Sequence, residues 1–417
     1  MQLETLFTEA LGIMAPWHIT SLKFDSVQNR LDITVDFPRG TTFTYTDPKT
    51  KETGNYKAYD TVQRTWRHLN FFEHECYLHV RVPRVKPSGG GTVMIFPIWH
   101  GCSTGFTLLF ESLILRLCTN MPVHQVGKIL NVSDYRLWRV LEAYVKKALN
   151  AAKNESLTAV GIDETSLKRG HNYISLFVDL AEKKTIFVGE GKDNSTVRSF
   201  VNHLETTQGN RGNIKDVSCD MSPAFIKGVR ENLPQAQITF DKFHVLKVIN
   251  EGVDAVRRSE SSQNPILKKA LKGSRYVFLK NEQNLSAKQK ETKETLSKLN
   301  LKSMRALHIR ENFQEIYKAS SFDEFEKLLK QWYYWATHSR LEPIKKAAKT
   351  IKKHWQGILQ WKHSQITNGI LEGLNSIVQA AKRKARGYKF EHLKVIVYLL
   401  TGKLNLKQFN QALPTHF

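Results

Sequence analysis

Between residues 18 and 100 the chain alternates short apolar-polar runs with turn residues. HITSLKFD, RLDITVDF, TTFTYT, ECYLHVRVPRV and TVMIFPIW read as strands, separated by DPKTKETG and KPSGGG. This stretch predicts a small β-rich module. From Gly105 the period lengthens to that of a helix, with FTLLFESLILRLC followed by PVHQVGKILNVSDYRLWRVLEAYVKKAL. A short helix from Pro122 to Leu130 meets a break at Asn131 to Asp134, and a longer helix starts at Tyr135 with Ser133 or Asp134 as its cap. Short helix, tight turn, long helix is the helix-turn-helix order, which would carry Arg136 and Arg139 on an exposed face toward DNA; two packed core helices give the same pattern.

From Leu157 to Asp241 strands and helices alternate. LTAVGIDETS, YISLFVDL and KTIFVGEG predict three strands, the last two joined through Ala181 to Lys183. A helix over 194–206 with Asn194 or Ser195 as cap follows, then the strand IKDVSCD, a helix from Pro223 to Asn232 and the strand AQITFD. Three strands, helix, strand, helix, strand is the order of a ribonuclease-H-like core. Residues 245 to about 365 read as helical and rich in Lys and aromatics. Within WYYWATHSR, Trp332 and Trp335 lie one helical turn apart and are expected as a buried pair, with stacking on an unpaired base as the alternative for the cluster. Lys345, Lys346, Lys349, Lys352 and Lys353 read as a phosphate-facing stripe or as ordinary solvated lysines.

The charge narrows the partner. Among 417 residues, 62 Lys and Arg face 39 Asp and Glu, a formal charge of +23. Such a balance points to a polyanion, nucleic acid above all, because neutralising phosphates releases condensed counterions. A hydrophobic fraction of 41% with 22 Phe, 13 Tyr and 8 Trp excludes a disordered basic tail. Cys76, Cys102, Cys118 and Cys219 are widely spaced and form no CxxC pair, which fits a reducing cytoplasm and encodes neither a disulfide framework nor a cysteine-rich zinc site. No run approaches the roughly 18 to 20 apolar residues that cross a bilayer, and MQLETLFTEA carries acids where a signal peptide carries Lys or Arg, so no leader is expected.

The candidate chemistry lies in carboxylates. Asp163 in GIDET and Asp220 in SCDMSPAF each sit near the carboxyl end of an apolar strand, where α/β sheets place chemistry, although strand-end aspartates also cap helices and turns. Glu372 lies in NGILEGLNSIVQAAKRKARGYK. At about 100° per residue, Leu371, Leu374, Ile377, Val378, Ala381 and Ala385 share one face, and Glu372, Asn375, Gln379, Arg383 and Arg386 a neighbouring arc. The basic cluster Lys382, Arg383, Lys384, Arg386 and Lys389 follows. Two Mg²⁺ ions roughly 4 Å apart need carboxylate oxygens of this kind to activate a nucleophile and stabilise a leaving 3′-oxygen, with Arg and Lys holding the phosphates. Glu372 as a solvated helix acid is the competing reading.

TWRHLNFFEHECYLHVRVPRV, GIDETSLKRGHNYISLFVDL, DMSPAFIKGVRENLPQAQITFDKFHVLKVINEGVDAVRR, LKGSRYVFLKN, WATHSRLEPIKKAAKTIKKHW and ITNGILEGLNSIVQAAKRKARGY together resemble the ISL-three family of bacterial insertion-sequence transposases, a DDE-class group. The resemblance implies Asp163, Asp220 and Glu372 as catalytic, Mg²⁺-binding acids of a ribonuclease-H-like nuclease, with Mn²⁺ as substitute and the intervening helices as an insertion domain. Asp241 and His244 match a DxxH motif, either supporting the active site or locking a strand-to-helix turn. Glu164 and Asp179 are neighbouring acids outside the implied set, Asp179 at a hairpin where solvent is the ordinary partner. The implied fold is multidomain α/β: a β-rich module at 1–104, a helix-turn-helix at 105–153, the first part of the core at 154–250, a helical insertion at 251–362 and the core's C-terminal helices at 363–417. Implied DNA contacts are Arg136, Arg139, Asn375, Gln379 and the basic cluster; implied partners are terminal inverted repeats, target DNA and further copies of the chain in a homodimer or higher homo-oligomer on DNA, in a prokaryotic cytoplasm at the nucleoid. Family members carry a cysteine-containing zinc finger in the β-module. Here TTFTYTDPKTK and RVKPSGGG contain no Cys, and His68 and His74 make no tetrahedral set, so no structural zinc is expected. The alternative function is a catalytically inactive or host-retained DNA-binding regulator. With no GxxxxGK[ST] loop, nucleotide hydrolysis is discarded.

Overall fold

The computed structural model describes residues 3–102, 105–167, 173–263, 265–366 and 369–413; residues 168–172 and 367–368 of the quoted blocks lie outside these. The chain divides into two compact units, residues 1–152 with 381–417, and residues 153–380. Residues 363–417, expected as one segment, are therefore shared between the units. The result is a mixed α/β multidomain protein with an N-terminal β-rich module and a largely helical C-terminal half.

In the first unit, α1 (Leu3–Ala10) precedes β1 (His18–Asp25), β2 (Arg30–Asp36), β3 (Thr42–Thr46), β4 (Thr53–Lys57), β5 (Asp60–Phe71), β6 (His74–Val85) and β7 (Val93–Met94). The sheet runs β1-β2-β6-β5 with β7 on β6, and β3 with β4 forms a separate hairpin. Alternate residues Leu31, Ile33 and Val35 of β2, and Leu78, Val80 and Val82 of β6, are buried, as one-sided strands require. TVMIFPIW yields only the two residues of β7. The longest strands include β5, which the alternation conceals: its buried run is Trp66, Arg67, His68, two of them polar. Arg67 pairs with Glu75 at 2.8 Å, and His68 meets Thr107 Oγ1 at 2.8 Å.

The same unit continues with α2 (Leu108–Asn120), α3 (Val123–Leu130) and α4 (Asp134–Ala151), and its last helix is α16 (Phe390–Thr401). Phe106, Phe110, Leu137, Leu141 and Tyr144 pack with Ile396 and Leu406. Between α3 and α4 a Cβ on Gly127 would lie 2.8 Å from Val132 O and Asp134 Oδ1, so only glycine permits this close turn, and Asn131 closes it at φ 52°. Ser133 is the cap residue of α4, without a side-chain cap bond. Buried Glu111 accepts from Cys102 N and, at 2.7 Å, from the Tyr144 hydroxyl, fastening the turn before α2 to α4.

The second unit holds β8 (Ala159–Ser166), β9 (Tyr173–Asp179), β10 (Lys184–Glu190), α5 (Asn194–Thr206), β11 (Asp216–Cys219), α6 (Pro223–Asn232) and β12 (Gln237–Phe240). The sheet order is β10-β9-β8-β11-β12, with β8, β11 and β12 parallel and β8, β9 and β10 antiparallel. The cap of α5 is Asp193, whose carboxylate accepts from Thr196 N, rather than Asn194 or Ser195. Asp179 is buried, and its Oδ1 accepts from Ala181 N and Glu182 N; its partner is the hairpin backbone rather than the expected solvent.

Helices complete this unit: α7 (Lys242–Ser261), α8 (Pro265–Leu271), α9 (Arg275–Leu279), α10 (Ala287–Ser297), α11 (Lys302–Ile316), α12 (Phe322–His338), α13 (Glu342–Lys353), α14 (Trp355–Ser364) and α15 (Gly369–Lys384), the last running on into the first unit. One apolar core joins the sheet to α7, α11, α12, α13 and α14. Trp332 is 1% exposed and donates its indole N–H to Ile309 O at 2.9 Å. Trp335 is 40% exposed, so the expected buried pair is corrected to Trp332 alone. A spacing of three rotates the side chain by about 300°, enough to leave a narrow buried stripe.

Candidate active site and nucleic-acid interface

The register of the three parallel strands pairs Gly161 with Ser218, and Ser218 with Thr239. Continuing two places along each strand brings Asp163, Asp220 and Asp241 into one cross-strand row on one side of the sheet, since side chains alternate with a period of two. Asp163 Oδ1 accepts from Glu164 N at 2.8 Å, and Oδ2 accepts from the side-chain amide of Asn375. Asp220 Oδ1 accepts from Ser222 N at 2.9 Å at the start of α6. Asp241 caps α7, accepting from Phe243 N at 3.1 Å and contacting His244 Nδ1 at 2.9 Å.

Electrostatics tie this row together. Burial pushes the Asp163 carboxyl up to about 6, and the charges of Asp220 and Asp241 push the same way against the Glu164 N–H and His244. His244 is raised chiefly by its bond to Asp241, and also by the charges of Asp163 and Asp220. Glu164 lies 3.5 Å from Lys192.

Glu372 stands apart. It is exposed in the first turn of α15, one turn before Asn375, and among the described residues no three His, Cys, Asp or Glu side chains gather around a metal position. Asn375 and Gln379, by contrast, reach β8, Gln379 donating to Thr165 Oγ1. Asp241, expected only as a supporting residue, completes the row, and the sequence signal for it is the repeat of GID, SCD and TFD, each an Asp following a short strand run.

The first unit carries the other candidates. Tyr135 and Arg139 are exposed on α4, with the Arg139 guanidinium 6.0 Å from the Tyr135 ring centroid. Arg136 is turned inward: half-buried, it lies 4.1 Å over the Phe106 ring, correcting its expected exposed position, and burial lowers its pKa. Arg386 and Lys389 line, with Tyr135, Trp138 and Arg139, a cleft of about 730 Å³, which brings the C-terminal basic turn beside the second helix of the helix-turn-helix. Arg383 and Lys384 are exposed; Lys382 is half-buried, and burial lowers its pKa.

Comparison with known proteins agrees with this organisation. Residues 160–397 match a family model described as transposase, and residues 99–145 match the helix-turn-helix domain of transposase family ISL3. Residues 54–86 match the zinc-finger of transposase IS204/IS1001/IS1096/IS1165. The chain is 25% identical over 342 residues to the transposase for insertion sequence element IS1001 of Bordetella parapertussis, covering 80% of this chain and 83% of that protein. It is 25% identical over 368 residues to the transposase for insertion sequence element IS1557 of Mycobacterium tuberculosis, covering 81% of each.

The zinc-finger match overturns the expectation of no structural zinc: a zinc-finger segment is present, and it suggests a structural zinc. The nitrogen and sulfur donors within it are His68, His74, Cys76 and His79. Burial pushes the Cys76 thiol up to about 12, and His79 Nε2 lies against Asp32 Oδ1 at 2.5 Å.

Proposed function

Because the chain belongs to the ISL3 family of insertion-sequence transposases, we propose that it binds insertion-sequence ends and catalyses Mg²⁺-dependent DNA cleavage and strand transfer on a ribonuclease-H-like core. The observation carrying this reading is the row formed by Asp163, Asp220 and Asp241 just past the paired residues of the three parallel strands. Its oxygen donors suit a hard cation, and a carboxyl held up to about 6 by burial and like charge is one that a cation would ionise. Asp163 and Asp220 would hold magnesium, with Glu372 from the same helical stripe as Asn375 as the third acid. Magnesium would supply Lewis-acid activation of the attacking oxygen and stabilisation of the leaving 3′-oxygen.

The chain's own residues do the rest. Asn375 orients Asp163 through its Oδ2, and Asp241 holds His244 where its ring can position DNA or take a proton. Water attacks in cleavage; the freed 3′-hydroxyl attacks target DNA in transfer. Tyr135 and Arg139, with the basic turn at Arg386 and Lys389, would grip the ends, and two copies of the chain would join them on nucleoid DNA. Incubating terminal-repeat or supercoiled DNA with Mg²⁺ tests the reading: wild type cleaves and Asp163→Ala does not, whereas undiminished cleavage by the variant overturns it. The exposed, ungathered Glu372 favours a second reading, a DNA-binding regulator without catalysis. Wild type that binds ends yet leaves them intact would establish that reading.

A further inference from the structure

In the second unit a groove of about 1000 Å³ runs along β12, the edge strand of the sheet, between α6 and the junction of α13 with α14. On one wall α6 contributes Lys227 and Arg230, and on the other stand Lys352, Lys353 and His354. The acid among its lining residues is Glu231, which lies 3.7 Å from Lys227. Arg230, Lys352 and Lys353 are exposed, and among the described residues none has an ion-pair partner. Lys352 is steered by the Trp355 ring, 4.5 Å from its centroid. His354 is lowered by burial and then by the charges of Lys353 and Arg230, so the two walls share one positive field. Trp355, Gln356 and Gly357, the first residues of α14, line the floor, and no side chain caps that helix.

We infer that this groove is a binding site for the phosphate backbone of DNA, distinct from the helix-turn-helix surface. Its charge is unopposed except at Glu231, and its aromatic rings are buried or covered, which suits phosphates rather than stacked bases. Along this wall α6, Pro223 to Asn232, spans about 15 Å at ~1.5 Å per residue, the axial length of about four base pairs of duplex at ~3.4 Å each. One end is anchored to the aspartate row: Pro223 is the third residue after Asp220, and Phe240 directly precedes Asp241. A strand leaving the candidate catalytic site thus has a charged track along the sheet edge. This inference rests on the proposed DNA-cleaving function and names where that DNA lies.

The test uses the full-length chain and the triple variant Arg230→Gln, Lys352→Gln, Lys353→Gln, with fluorescein-labelled duplexes of element-end and random sequence titrated across KCl concentrations. Each lost phosphate contact lowers the slope of log affinity against log salt by about 0.9, so the triple variant should lose between about 2 and 3 in slope and weaken on both duplexes alike. The charge-keeping variant Arg230→Lys, Lys352→Arg, Lys353→Arg should retain the wild-type slope. An unchanged slope in the triple variant overturns the inference. So does a lowered melting temperature with unchanged slope, which would assign the lysines to the C-terminal dipole of α13, or binding of polyglutamate without any slope change, which would assign the groove to an acidic protein. The catalytic reading fails separately: undiminished cleavage by Asp163→Ala leaves the binding slopes untouched.

Discussion

Asn375 donates its side-chain amide to Asp163 Oδ2 across 212 sequence positions, and it does so as the middle member of a matched set. A Cβ on Gly161 would meet Leu371, Asn375 meets Asp163, and Gln379 meets Thr165. Steps of four along α15 therefore meet steps of two along β8, because four helical residues rise about 6 Å and two strand residues about 6.6 Å. Asn375 thus favours the ionised form of a carboxyl that burial disfavours. Asn375→Asp would replace that donor with a like charge. Its cleavage rate at neutral pH should fall by about tenfold or more, with the acid limb of the pH-rate profile displaced upward. An unmoved limb would show that Asn375 has no hold on Asp163 during the reaction.

Gly357 fixes how α14 lies on β12. A Cβ there would sit 2.4 Å from the Phe240 ring and 3.1 Å from Ile238 O. Alanine is the better helix former by about 1 kcal/mol, but overpacking against a buried ring and a carbonyl costs typically ~1–3 kcal/mol. Gly357→Ala should therefore be net destabilising. Chemical denaturation of the full chain measures it; a gain in stability would mean that α14 withdraws from the strand without cost.

Trp332 and Trp335 separate burial from pattern. Trp332→Ala removes a buried ring and leaves Ile309 O without its indole donor, at a cost of about 3–5 kcal/mol. Trp335→Ala should cost less than about 1 kcal/mol because the ring is 40% exposed. Equal losses in the two variants would contradict this packing.

Much of the second unit is legible because its strands carry short apolar runs between recognisable stops. β9 and β10 carry continuous buried runs, and α6 begins at Pro223 as its sequence announces. β5 is hidden because the groups it buries include Arg67 and His68, which lie against Glu75 and Thr107, and no periodicity of hydrophobic residues encodes such partners. Arg136 misled for the related reason that a guanidinium can lie over an aromatic face instead of in water. At the candidate site the acids were visible one by one. Their cross-strand row depends on pairing between strands far apart in sequence, which local patterns do not contain.

His68 gives the first unit a pH dependence whose sign follows from its burial. Burial lowers its pKa from 6.5 to about 4, and its Nδ1 meets Thr107 Oγ1 at 2.8 Å beside α2. The folded chain holds the ring neutral, whereas the unfolded chain takes up a proton below about pH 6.5. Stability from this residue is thus fully present above that pH and is lost as pH falls toward about 4, on the order of 3 kcal/mol in all. His68→Gln can keep a hydrogen bond to Thr107 but cannot titrate. Below about pH 6 its unfolding free energy should therefore fall less steeply with acid than that of wild type, the two curves converging as pH drops even if the variant is weaker at pH 8. Urea unfolding of both proteins between about pH 4.5 and 8 checks this, and parallel curves would place the first unit's acid sensitivity elsewhere.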